Sequence, residues 1–242
     1  MSLAVVYSRA SLGTSAPLVT VEVHLSNGLP SFSIVGLAET AVKESRERVR
    51  SALKNSGFDF PTRRITVGLA PADLPKRGGR FDLPIALGIL VAAGQLSLEA
   101  LQDIEFLAEL GLGGELRPVD TILSAVVAAT AMGHTVALAP GDAVEASRVG
   151  TARLLPAFNL SALVDHLAGV KPISWTFDQP AFRAMPESDL SGIKGQAVGL
   201  RGLEVAAAGG HGLIMMGPPG CGKSMLAAHL PGLLPAMNQE EA

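Results

Sequence analysis

Gly217-Pro218-Pro219-Gly220-Cys221-Gly222-Lys223-Ser224 satisfies the pattern G-x-x-x-x-G-K-[ST], the phosphate-binding loop of nucleotide triphosphatases. Its flanks agree with that reading. Leu213-Ile214-Met215-Met216 reads as a short buried strand entering Gly217. Met225-Leu226-Ala227-Ala228-His229-Leu230 reads as a helix that stops at Pro231. Strand, glycine-rich turn and helix form the setting this motif requires. Glycines let backbone N–H groups turn toward a polyphosphate with no Cβ in the way. The following helix offers its positive end to the same anion. Lys223 is expected to reach the β- and γ-phosphates of ATP, and the Ser224 hydroxyl to ligate Mg²⁺. Cys221 holds a variable position, either as a small residue that fits the turn or as a thiol whose pKa the helix N-terminus lowers.

The rest of the chain sets limits on what surrounds that loop. Its 242 residues suit one large or two small domains. Hydrophobic residues make up 48% and charged ones 17%, enough apolar material for a core. A formal net charge of −3 gives no overall attraction to nucleic acid or anionic membrane. The single cysteine excludes an internal disulfide and suits a reducing compartment. No basic, then apolar, secretory leader is visible at Met1–Ser8, and the apolar run Leu83–Ala93 is too short to span a bilayer. The chain therefore reads as a cytoplasmic soluble protein with no membrane partner.

Upstream of the loop, Leu3–Tyr7, Leu18–Leu25 and Ser31–Val35 alternate as half-buried strands do. The period then changes to that of a helix over Thr40–Asn55, ending near Gly57, and returns to strand at Arg64–Leu69. Asp82–Ala93 reads as a buried helix. Phe106–Leu110 and Glu115–Arg117 read as a hairpin around Gly113-Gly114, Thr121–Met132 as a helix, Thr135–Ala139 as a strand and Leu160–Leu167 as a last helix. Clustered strands followed by mixed elements predict an α+β or α/β fold with some antiparallel pairing. Gly169–Asp189, with Pro172, Pro180, Pro186 and Trp175, has no period and reads as a linker. A second unit starts near Asp189. Only 18 residues follow Ser224, and none forms an apolar strand ending in the acidic residues that hold Mg²⁺ and polarise water. Leu107-Ala108-Glu109 lies upstream of the loop and lacks the Asp. The chain is accordingly expected to be a piece of a longer protein, inactive as an ATPase by itself.

Ser191-Gly192-Ile193-Lys194-Gly195-Gln196, Arg201–His211 and the phosphate loop together resemble the start of the AAA+ module of the ComM/YifB family, the magnesium-chelatase-like proteins. Further resemblance lies in Val35-Gly36-Leu37-Ala38, Lys43–Arg50, Pro71–Lys76 and Gly78–Ala86, so the match covers nearly all of residues 1–235. The resemblance implies a Lon-protease-like domain over 1–169, a linker over 170–188, and the N-terminal part of an AAA+ ATPase domain over 189–242. It also implies a homo-oligomer, a hexamer in the family, and places Gln196 near the adenine. Lon-type proteolysis needs a Ser activated by a Lys. By similarity the Ser position falls at Arg80 and the Lys position at Leu123. Both halves of the dyad are missing, so no catalytic residue is assigned and a protease-like scaffold without protease chemistry is expected.

Other candidates carry weaker signals. His24, His134, His166, His211 and His229 stand at no metal-ligand spacing and read as structural. The mixed charges of Lys43–Arg50 read as a solvated helix face with i,i+4 pairs. The loop Lys76–Arg80 is basic and glycine-bearing, a place where a ring channel could touch nucleic acid. The resemblance and the phosphate-loop pattern leave three functions open. One is an AAA+ motor that remodels DNA by branch migration in natural transformation and recombination. The second is a chelatase-like motor acting on a protein or driving metal insertion, and the third a non-catalytic oligomerisation scaffold.

Overall fold

The computed structural model describes residues 2–36, 40–175 and 190–235. Leu37 and Ala38, most of the predicted linker (176–189) and residues 236–242 lie outside the described residues. Two compact units divide the chain, Met1–Gln179 and Pro180–Ala242.

The first unit is mixed α/β, built on one seven-stranded sheet. In chain order its elements are β1 (Ser2–Arg9), β2 (Leu18–Ser26), β3 (Ser31–Val35), α1 (Thr40–Asn55), β4 (Arg64–Ala70), α2 (Asp82–Ala92) and β5 (Ile104–Leu107). There follow β6 (Glu109–Leu110), β7 (Leu116–Arg117), α3 (Ile122–Ala131), β8 (Thr135–Leu138), α4 (Pro140–Ala146), β9 (Arg153–Pro156) and α5 (Leu160–Leu167). The strand order is β3-β4-β2-β1-β5-β8-β9, antiparallel at β4-β2 and β2-β1 and parallel elsewhere.

The two halves of the sheet are buried differently, and the sequence shows why. In β2, Val19, Val21, Val23 and Leu25 are buried while Thr20, Glu22 and His24 face the other side. That alternation suits an antiparallel strand covered on one face. In β5 and β8, consecutive residues are buried: Phe106 and Ala137 join the core that contains α2 and α5, whereas Leu107, Val136 and Leu138 join the core of α3 and α4. A parallel segment buried on both faces reads as a continuous apolar run. Helix α2 is buried at nearly every position. Gly88 lets it approach β2 closely, since a Cβ there would stand 2.5 Å from Val23 Cγ2.

The predicted hairpin proved to be two structures. The chain leaves the main sheet after Leu107, and only Glu109–Leu110 pairs with Leu116–Arg117 as a separate antiparallel ribbon. The run is long enough to serve both partners, so β5 pairs with β1 and β8 while β6 turns back. Helix α4 and the edge strand β9 were not anticipated. Both are short, and their apolar residues contact α3 and β8 rather than forming a period of their own.

Described residues of the second unit form α6 (Ala197–Gly209), α7 (Lys223–Leu233) and a 3₁₀ turn at Leu190–Gly192. The predicted strand Leu213–Met216 is not formed: it has no strand partner, and Ile214 and Met216 are 87% and 91% exposed. A strand of this kind needs a neighbour to satisfy its N–H and C=O groups, and no other strand occurs among the described residues of the unit. Helix α7 also runs past its predicted stop. Pro231 lies inside it, and the helix ends at Leu233. The proline ring fixes a helical φ but removes one N–H, so the helix is lost within a turn instead of at once.

Candidate functional site

The phosphate-loop residues come together as one exposed turn leading into α7. Gly220 and Gly222 have φ of +80° and +86°, the left-handed region that glycine enters without strain. A Cβ at Gly217 would lie 3.0 Å from Cys221 Sγ, so the two ends of the loop pass close together. Lys223 Nζ donates to the carbonyls of Gly217 and Pro218, each at 2.8 Å, and lies 3.5 Å from Cys221 Sγ. Its ammonium thus spans the mouth of the turn. Ser224 is exposed in the first turn of α7, whose ladder opens with Leu226 N donating to Gly222 O at 2.9 Å. The N–H groups before Leu226 are therefore outside the helical ladder and aim toward the loop. Pro218 and Pro219 are exposed.

Gln196 ties α6 to this loop. It sits at the N-terminus of α6 with φ +55°, and its Nε2 donates to Cys221 O at 2.8 Å. Gly199 brings the two helices together, because a Cβ there would stand 2.9 Å from Leu226 Cδ1. Sequence reasoning missed α6 as a helix, although its small residues permit that approach.

In the first unit, Arg80 and the segment before Leu123 are neighbours. Arg80 is 5% exposed, and its Nη2 donates to Asp120 O and, at 3.0 Å, to Thr121 Oγ1. Thr121 in turn lies 2.9 Å from Ser11 Oγ. Burial holds the Arg80 guanidinium below its usual pKa, with Asp120 and Asp142 opposing that shift. Burial likewise raises the Asp142 carboxyl to about 6, against a hydrogen bond from Val119 N.

The structure corrects the reading of Lys76–Arg80 as a basic loop open to nucleic acid. Lys76 is fully buried, its ammonium donates to Pro71 O, and burial pushes its pKa down. With Arg80 also internal, Arg77 is the exposed cation of the three. The expected solvated face of α1 is also corrected in part. Arg48 turns inward and pairs with fully buried Asp82, Nε to Oδ2 at 2.6 Å. Asp82 additionally accepts from Ser45 Oγ and from Leu110 N at 3.3 Å, joining α1, α2 and β6. Its carboxyl is raised by burial despite these donors.

Sequence reasoning also missed a buried charge cluster. Glu105, fully buried, accepts from Arg9 Nε at 2.5 Å and Nη2 at 2.7 Å, and His134 Nδ1 lies 2.9 Å from its Oε1. No group of three His, Cys, Asp or Glu able to hold a metal occurs among the described residues, and no helix among them is long and apolar enough to cross a membrane.

Comparison with known proteins accounts for both units. The family model described as subunit ChlI of Mg-chelatase matches residues 21–143, and that described as magnesium chelatase, subunit ChlI, matches residues 189–242. The competence protein ComM of Haemophilus influenzae (strain ATCC 51907 / DSM 11121 / KW20 / Rd) is 51% identical over 247 residues, covering 100% of this chain and 48% of that protein. YifB of Escherichia coli (strain K12) is 46% identical over 242 residues, covering 100% and 48%. The Rv2897c protein of Mycobacterium tuberculosis (strain ATCC 25618 / H37Rv) is 37% identical over 243 residues with the same coverage. The chain thus spans about half the length of the curated relatives it matches. Matched across both units, the chain belongs to the ComM/YifB family of magnesium-chelatase-like AAA+ proteins.

Proposed function

We propose that this chain carries the nucleotide-binding start of a ring-forming AAA+ motor that uses ATP hydrolysis to remodel DNA. The observation that supports it most directly is the turn at Gly217–Ser224, with two left-handed glycines, an ammonium across its mouth and a helix N-terminus behind it. These residues fit a nucleoside triphosphate with Mg²⁺. Loop N–H groups would hold phosphate oxygens, and Lys223 would exchange two neutral carbonyls for them. The Ser224 hydroxyl would serve as a metal ligand. Bound Mg²⁺ would supply charge neutralisation at the phosphates. Gln196 holds the loop from α6, so nucleotide occupancy and the position of that helix would be coupled.

For residues 1–169 we propose a Lon-like scaffold without proteolysis, followed by a linker over 170–188 and the ATPase module from 189. The pairing of Arg80 with Asp120 and Thr121 supports this, since the two positions where a nucleophile and base would stand are neighbours filled by a structural guanidinium and a leucine. The family's name and the relative named a competence protein favour two substrates: a protein complex handling magnesium, or DNA. We take DNA as the reading, with a hexameric ring in the cytoplasm as its form.

Lys223→Ala in the full-length protein should weaken ATP binding roughly ten- to a hundredfold, the loss of charge-assisted hydrogen bonds of about 1.5–3 kcal/mol. Unchanged affinity in a labelled-ATP titration rules out the loop. The DNA reading is tested by branch migration of a synthetic three-strand junction with and without ATP. If no strand moves and DNA leaves ATP turnover unchanged, the protein-directed motor is the better account.

A further inference from the structure

The face of α1 that the motor reading does not use is strongly basic. Arg46, Arg50 and Lys54 stand at i, i+4 and i+8, one stripe along the helix, and all three are exposed. Arg63, from the turn before β4, closes the same cleft of about 330 Å³. Four cations thus face the single carboxylate of Glu47 in a chain whose net charge is −3. No ion pair to any of the four occurs among the described residues. Like charges at i,i+4 oppose helix formation, although Lys54 in the last turn complements the helix dipole.

The floor of the cleft is aromatic. Phe32, on edge strand β3, and Phe60 are 6.2 Å apart between centroids, and the Arg50 guanidinium lies 5.5 Å over the Phe60 ring. Arg46 Nη1 reaches the Phe32 carbonyl at 3.4 Å, which anchors the rim to the floor. Cations in a row beside aromatic rings suit one class of ligand. Phosphates follow the charges, and unstacked bases take the rings or the guanidinium plane. The cleft has the size of a small-ligand pocket, roughly 300–1,000 Å³, and so takes nucleotides one at a time rather than a duplex.

We propose that the cleft between α1, β3 and the turn before β4 binds single-stranded nucleic acid through Arg46, Arg50, Lys54 and Arg63, with Phe32 and Phe60 as the stacking floor. This extends the DNA-directed reading by naming a contact outside the ATPase module, and its test needs neither ATP nor strand movement.

Fluorescence anisotropy of a labelled oligothymidylate, titrated with the chain at several salt concentrations, reads both affinity and salt slope. Replacing Arg46, Arg50 and Lys54 by Gln should weaken binding roughly tenfold or more and lower the log–log salt slope by about 2, at ~0.7 per phosphate contact. Phe60→Leu, which keeps the floor apolar, should weaken binding roughly five- to a hundredfold with the slope unchanged. Arg148→Gln, an exposed cation outside the cleft, should change neither. The proposal is overturned if the triple variant keeps the wild-type slope, if Arg148→Gln lowers it equally, or if polyglutamate competes as well as the oligonucleotide does. Junction migration that fails while these results hold removes the motor reading and leaves the cleft standing. Migration that succeeds with an unchanged slope removes the cleft alone.

Discussion

Glu105 shows what a single residue does in this fold and why sequence alone did not show it. Its carboxylate is fully buried between Arg9, from β1, and His134, which precedes β8, so one charge holds partners 96 and 29 residues away. No spacing in the chain announces such a cluster; it exists because β1, β5 and β8 are sheet neighbours. Glu105→Ala leaves Arg9 charged and 4% exposed, which should cost about 3–5 kcal/mol in a urea titration. Asp142 gives a pH-dependent effect. Its folded carboxyl titrates near 6, above the ordinary 3.8, mainly through burial. The folded state then binds the proton more tightly than the unfolded one. The group therefore adds stability below pH ~4 and loses it as pH rises toward 6, a loss of about 2–3 kcal/mol. Asp142→Asn, which keeps an acceptor for Val119 N, should flatten the change in stability between pH 4 and 6 relative to wild type. Denaturation midpoints that fall equally in both proteins across that window would refute the assignment.

Among the elements, burial on one face was the clearest signal, although the doubly buried α2 and β8 were also read from their apolar runs. Strands β1, β2, β3 and β4 and helix α1 were visible because each has one apolar side and a clear period. The elements missed or misdrawn lack that signature: β5 is separated from β6 by Ala108 alone, α4 and β9 are short, and α6 is rich in Ala and Gly. The glycine-rich turn was legible as a turn: Gly222, a fixed position of the pattern, and Gly220, a variable one, both adopt left-handed φ. The strand expected ahead of it did not form. Apolar character in Leu213–Met216 states a preference, and pairing needs a neighbour. Amide protons of Leu213–Met216 in the 242-residue chain should therefore exchange almost without protection, while those of β1, β2 and β4 exchange only through opening of the whole unit. Strong protection at Ile214 and Met216 by hydrogen-exchange mass spectrometry would show that the segment is paired.

At the scale of the molecule, charge and chemistry are segregated in ways the net charge of −3 hides. Three cations of the first unit, Arg9, Lys76 and Arg80, are internal, and four more, Arg46, Arg50, Lys54 and Arg63, line the α1 cleft. The buried Arg80 reaches the Thr121 hydroxyl, which in turn contacts that of Ser11. A Ser or Thr becomes a nucleophile when a base takes its proton, and a guanidinium does not serve as that base, because it stays protonated. Lys76, whose pKa burial lowers, has its ammonium engaged by the Pro71 carbonyl instead. The expected outcome is that casein and a panel of unstructured peptides stay intact when incubated with the full-length protein and ATP, at any pH from 6 to 9. Arg80→Ser should not create activity either, since it supplies a hydroxyl without a base and leaves Leu123 in place. Peptide cleavage by the wild-type protein that vanishes on Ser11→Ala or Thr121→Val would show that these hydroxyls do chemistry here, and the scaffold reading of the first unit would have to be given up.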